Sequence, residues 1–190
     1  MNYESEITVE VCVDLSSLIK ILEENGFELK EVYDLNDIYL INKNDKEDDY
    51  LSMLNKCVLI RNIIEEDKET KLLTYKYKEY NENKEITRQG KVKVKIDDIS
   101  NSKLLFEKLG FQELIRINDH IMVYEKDGLE LAIEYVNDKY LFIEVEANQK
   151  YDTIDKMKNA LEEVGIEYDK SNYFQKKALL IFKDKYNSKI

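Results

Sequence analysis

The chain has no proline and no tryptophan, and its 190 residues include only five glycines, two cysteines and one histidine. Without proline and with little glycine, loops have to be read from clusters of Asn, Asp and Lys. Cys12 and Cys57 lie inside the apolar, strand-like runs VEVCVDL and NKCVLIRNI, so buried reduced thiols are the expectation for both. His120 has no Cys or His neighbour in sequence, which leaves zinc ligation without partners. No run approaches the ~18 apolar residues that a membrane-spanning helix needs. The opening MNYESE lacks the basic segment and apolar stretch of a secretory signal, so a soluble cytoplasmic protein is expected.

Charge and aliphatic residues are plentiful. An apolar fraction of 43% suffices for a packed core, and the formal net charge is −11. That balance argues against a general nucleic-acid coat or a basic membrane-surface module. It does not exclude a local basic pocket for a phosphate ligand. Linkers rich in Gly or Ser are missing, so residues 1–190 are read as one domain.

The most informative stretch is Leu129 to Ala147, LELAIEYVNDKYLFIEVEA. Two runs alternate, Leu129, Leu131 and Ile133 against Glu130, Ala132 and Glu134, then Leu141, Ile143 and Val145 against Phe142, Glu144 and Glu146. Asn137 and Asp138 between them tolerate the positive φ of a tight hairpin turn. Strand side chains alternate faces, so Glu134, Glu144 and Glu146 project from one side of a sheet. A face carrying three carboxylates has to meet water, cations or basic partners.

Elsewhere, residues 3–13 read as a strand, and Asp14 as the N-cap of a helix carrying Leu15, Leu18, Ile19 and Leu22. Residues 28–42 read as extended, followed by a short helix to Asn55 and a strand through CVLIRNII. LLTYKYKEY and ITRQGKVKVKIDD form a pair in which Val92, Val94 and Ile96 face one way and Lys91, Lys93 and Lys95 the other. Helices are expected near 99–109, 152–164 and 172–185, and a strand pair through FQELIRINDHIMVYEKDG. ILEENGF, LFEKLGF and ALEEVGI repeat one helix-stop pattern that ends in Gly26, Gly110 and Gly165. The outcome is an α+β fold of about eight mainly antiparallel strands with helices packed outside. A polar-lined, tunnel-like β-barrel and an ordinary sheet with one solvated face both satisfy this alternation.

Taken in order, EITVEVCVDLSSL, CVLIRNI, LLTYKYKE, KIDD, LGF, VYEKDGLELAIEYV, LFIEVE and SNYF resemble the CYTH superfamily, the triphosphate tunnel proteins, from about Glu6 to Phe174. That family includes class IV adenylate cyclases, thiamine triphosphatases and inorganic triphosphatases. The resemblance implies an eight-stranded tunnel in which glutamates hold Mg²⁺ or Mn²⁺ and basic residues hold phosphate. Carried over by position, the metal ligands fall on Glu6, Glu134, Glu144 and Glu146, and the phosphate donors on Arg61 and Lys76. Arg88, Lys91 and Lys93 are added as further phosphate donors, and no catalytic residue is assigned.

Departures are numerous. The opening E-x-E-x-K becomes Glu6, Thr8 and Glu10, and the R-x-R strand becomes Leu59 and Arg61. Two family glutamates become Lys91 and Lys93, and the K-x-R pair becomes Asp119 and Ile121. Glu10 with Lys91 and Lys93 reads as a swapped set of interior salt bridges, with a solvated lysine face as the alternative. Leu59, Asp119 and Ile121 cannot donate to phosphate, and each charge-assisted hydrogen bond forgone there is worth about 1.5–3 kcal/mol. The expectation is therefore a divergent member that binds a small-molecule polyphosphate or nucleotide, as a metal-dependent phosphohydrolase. An inactive binding or structural member is the alternative, and an adenylate cyclase the further one. Neither nucleic acid nor membrane is an expected partner, and a homodimer is compatible with the sequence.

Overall fold

The computed structural model of the chain describes residues 6–45, 50–80 and 86–187. The elements are β1 (Glu6–Glu10), α1 (Leu15–Glu24), β2 (Glu28–Asn42), α2 (Tyr50–Asn55), β3 (Val58–Glu65), β4 (Lys68–Tyr80) and β5 (Ile86–Lys95). They continue with α3 (Ile99–Lys108), β6 (Phe111–Lys126), β7 (Leu129–Val136), β8 (Tyr140–Glu146), α4 (Ile154–Val164) and α5 (Lys177–Asn187). The eight strands form one sheet in the order β1-β8-β7-β6-β2-β3-β4-β5, and every ladder described between these strands is antiparallel. This is the expected α+β architecture. The order is linear, with β1 and β5 at its ends, so among the described residues no ladder closes it into a barrel.

The chain forms two compact units, one of residues 1–33 and 119–176 and one of residues 34–118 and 177–190. In the first unit, alternation puts Ile7 and Val9 of β1, Leu131 and Ile133 of β7, and Ile143 and Val145 of β8 on one face, all fully or almost fully buried. Against them pack Leu18 and Leu22 of α1 and Met157, Ala160, Leu161 and Val164 of α4. These are i, i+3, i+4 and i+7 positions, the single apolar stripe of an amphipathic helix. In the second unit Ile38, Leu40 and Ile60 form a smaller core that Leu73, Ile96, Ile99, Phe106 and Phe111 flank.

Local chemistry fixes the joints. Asp14 caps α1 by accepting from the Ser17 backbone N–H at 3.0 Å. The three helix-stop repeats behave alike: Gly26, Gly110 and Gly165 have φ of 81°, 90° and 77°. Each donates its N–H to the carbonyl of the Glu three residues earlier, Glu23, Glu107 and Glu162. A left-handed residue at that point satisfies a carbonyl the helix would otherwise leave without a donor. Asn137 and Asp138 turn the β7–β8 hairpin at φ of 51° and 53°.

Three expectations are corrected. FQELIRINDHIMVYEK is not a strand pair but one 16-residue strand, β6: Asn118 and Asp119 stay extended with Asp119 buried, and the turn comes only at Asp127 and Gly128, both at positive φ. The last helix starts at Lys177 rather than near residue 172, because residues 173–175 pair beside β1 instead. Cys12 is exposed, whereas Cys57 is buried as expected. The ladder described for β1 ends at Glu10, and Cys12 is held by donating its N–H to the Glu167 carbonyl at 2.9 Å.

Candidate metal centre

The polar face of the first unit is assembled by cross-strand register. On the β1–β8 ladder Glu6 stands opposite Glu146, Thr8 opposite Glu144, and Glu10 opposite Phe142. On the β7–β8 ladder Ala132 stands opposite Glu144 and Glu134 opposite Phe142. Directly paired residues share a face, so Glu6, Thr8, Glu10, Glu134, Glu144 and Glu146 all belong to the side opposite the apolar core.

Three of these acids converge. One carboxylate oxygen from each of Glu6, Glu144 and Glu146 lies within 4.8 Å of the other two. Glu6 and Glu146 are exposed and Glu144 is half-buried. Like charges at 4.8 Å repel by about 1 kcal/mol per pair at the dielectric of water, a cost that water tolerates and that a divalent cation reverses. Mg²⁺ and Mn²⁺ take hard oxygen ligands, and a small rotation of three carboxylates at this spacing brings them onto one ion, so the donor set fits such a cation. Thr8, 8% exposed, directs its hydroxyl at Glu144 Oε2 over a long 3.4 Å.

Glu134 is on the same face but apart from this triad: it is buried at 4% exposure, against Phe142 on one side and Ile121 on the other. Asp119 of β6 is likewise buried, at 3% exposure.

The second unit carries the residues expected to hold phosphate. Arg61 stands opposite Asp37 on the β2–β3 ladder, and its guanidinium is taken up by that acid. Nε donates to Asp37 Oδ1 at 2.8 Å and an Nη donates to Oδ2 at 2.7 Å, a bidentate pair with Asp37 3% exposed. Burial, and then the Asp37 charge, push the phenol of neighbouring Tyr39 above its usual range. On the same face, Leu72 stands opposite Lys95 and Thr74 opposite Lys93 on the β4–β5 ladder. Lys91, Lys93 and Lys95 are all exposed. The side chains of Lys76 and Arg88 lie outside the described residues.

Sequence reasoning therefore reached the acidic triad but missed Asp37. The signal was present, an acid in the alternating DLNDIYLI run, but only the register shows that it meets Arg61.

No model of a protein family matches the chain. A protein of Methanocaldococcus jannaschii named "putative adenylate cyclase" is 31% identical over 83 residues, covering 41% of this chain and 47% of that protein. The chain thus spans about half the length of the curated relative it matches. Among solved structures, a Pyrococcus horikoshii protein superposes with a TM-score of 0.64 at 20% identity, over 96% of this chain and 99% of that one. A Vibrio parahaemolyticus structure, also titled a putative adenylate cyclase, gives 0.61 at 12% identity over 94% and 98%. One from Bacillus halodurans with the same title gives 0.56 at 11% identity over 95% and 98%. At these identities the likeness is one of fold.

Proposed function

We propose that the chain is a CYTH-type protein that binds a divalent cation and a small molecule bearing a triphosphate. The observation that carries this reading is the convergence of Glu6, Glu144 and Glu146 within 4.8 Å on the sheet face that the core leaves free. These three residues would hold Mg²⁺ or Mn²⁺, which when bound supplies charge neutralisation to phosphate oxygens. Lys91 and Lys93, exposed on β5, are the proposed phosphate donors of the second unit, with Lys76 and Arg88 as further candidates. A relative and two structural neighbours bear adenylate cyclase names, which supports a nucleotide among the ligands to be tried.

Turnover is a separate matter, and one contact favours a second reading in which the protein binds without reacting. Asp37 occupies the Nε–Nη edge of the Arg61 guanidinium and offsets its charge. An arginine paired this way brings little net charge to a developing transition state.

The test is Mn²⁺ titration by electron paramagnetic resonance, followed by phosphate and cyclic AMP release from ATP, thiamine triphosphate and inorganic triphosphate. Glu144→Gln/Glu146→Gln serves as the control. The binding reading expects Mn²⁺ uptake that the double variant loses at least tenfold. Equal uptake by both proteins sinks the metal assignment, and metal-dependent turnover that the double variant lacks would restore the enzyme.

A further inference from the structure

Residues 173–175 lie beside β1 as an added strip of sheet. Thr8 donates its N–H to the Tyr173 carbonyl at 3.0 Å, and Gln175 donates its N–H to the Thr8 carbonyl at 3.0 Å, which makes Phe174 the parallel bridge partner of Thr8. Bridge partners carry their side chains on the same face, so Phe174 belongs to the face of Thr8, Glu144 and Glu6 rather than to the core face. Its backbone is pinned again by Asn172, whose Oδ1 accepts the Phe174 N–H at 2.9 Å.

Phe174 is 54% exposed. A lone exposed phenylalanine is unremarkable in itself. This one differs in position: three hydrogen bonds fix the strip that carries it, where β1 could otherwise end in water, and it borders the acidic triad. With neighbouring strands ~4.8 Å apart, its Cα stands about two strand spacings, ~10 Å, from that of Glu144 on the far side of Thr8. That separation matches a ligand whose phosphates meet a cation at the triad and whose ring lies one sugar or linker away.

We infer that Phe174 is an aromatic platform on which the ring of a ring-bearing polyphosphate ester stacks, so that the first unit distinguishes such esters from ring-free polyphosphate. The inference rests on the triphosphate reading of the same face. A flat π-face accepts any heteroaromatic ring, so the platform is selective for the presence of a ring more than for its identity. The shared chemistry covers both a nucleobase and the rings of a thiamine ester.

Isothermal titration of the full chain in Mg²⁺ separates the possibilities, with ATP, thiamine triphosphate and inorganic tripolyphosphate as probes. Phe174→Ala is expected to lose roughly tenfold to a hundredfold in affinity for at least one of the two ring-bearing probes, the span of one stacking interaction, and to bind tripolyphosphate as the wild type does. Phe174→Tyr is expected to keep the ring-bearing affinity. Unchanged tripolyphosphate binding by the Ala variant also reports that the fold is intact. Equal loss for all three probes, or no loss for any, overturns the platform. Wild-type binding of tripolyphosphate alone overturns the platform and leaves the triphosphate reading standing. No wild-type binding of any probe overturns both.

Discussion

Removing either partner of the Asp37–Arg61 pair is expected to have unequal effects. Asp37 is 4% exposed at its side chain and Arg61 26%, with the charges 2.7 Å apart at the closer contact. Cutting one partner from a buried pair costs about 3–5 kcal/mol, because the other charge is left in poor solvent. Arg61→Leu strands a nearly buried carboxylate and belongs at the full ~3–5 kcal/mol. Asp37→Leu strands a guanidinium with a quarter of its surface already in water, so the figure falls to about 2–3 kcal/mol after discounting for screening. Replacing both with leucine removes the desolvation problem and is expected to recover much of the loss, ending within about 2 kcal/mol of wild type. The chain has no tryptophan but 14 tyrosines, so urea unfolding is best followed by circular dichroism with tyrosine fluorescence as the second probe. Single variants that each cost under ~1 kcal/mol, or a double variant that costs the sum of the two, would refute this account of the pair.

Glu113 is gripped by Arg116 at 3.0 Å and Lys103 at 2.9 Å. Chiefly the Arg116 hydrogen bond, working against burial and helped by Lys103, lowers its carboxyl from 4.5 to about 2. Because the folded value is the depressed one, its stabilising contribution is complete above about 4.5 and disappears as pH falls toward about 2. Glu113→Gln should therefore be less stable at neutral pH and show a shallower loss of melting temperature with acid across that window. The two thiols should label differently with a maleimide in the native state. Cys57, whose thiol is pushed up to about 12 by burial, should react only on unfolding. Cys12 should react in the native state but slowly, its thiol raised by desolvation and by the charges of Glu167, Asp169 and Glu10. Equal native labelling rates would contradict the contrast in burial.

What the sequence made legible was whatever rests on local period. The alternation in LELAIEYV and LFIEVE placed the hairpin, its turn at Asn137 and Asp138, and the shared face of Glu134, Glu144 and Glu146. Helix-stop glycines marked the ends of α1, α3 and α4 because only a left-handed residue completes that cap. Register was not legible. Nothing in the chain says that Glu6 meets Glu146 or that Asp37 meets Arg61, since both pairings join distant segments and depend on which strands become neighbours. Burial within the polar face was hidden for the same reason. Glu134 and Glu144 are two strand positions of the same kind, yet one is buried beside Phe142 and the other is half open.

The core fixes only one face of each sheet segment, so the other face can exchange charge for aliphatic side chains without loss of fold. On that face Ile121 and Leu59 are buried aliphatics at 3% and 5% exposure. Placing a lysine at each should not be equivalent. Ile121 stands opposite Glu134 on the β6–β7 ladder, so an ammonium there gains an acid across about 5 Å. Leu59 stands between Tyr39 and Thr74, and the acid two residues before Tyr39, Asp37, is already held by Arg61. Ile121→Lys is therefore expected to cost about 1–2 kcal/mol, while Leu59→Lys, a buried cation with no acid opposite, is expected to exceed ~3 kcal/mol or to fail to fold. Parallel thermal melts decide it. If the two variants are equally stable, or if Ile121→Lys is the worse, Glu134 does not supply charge to its ladder partner, and cross-strand register does not organise the polar face of the first unit.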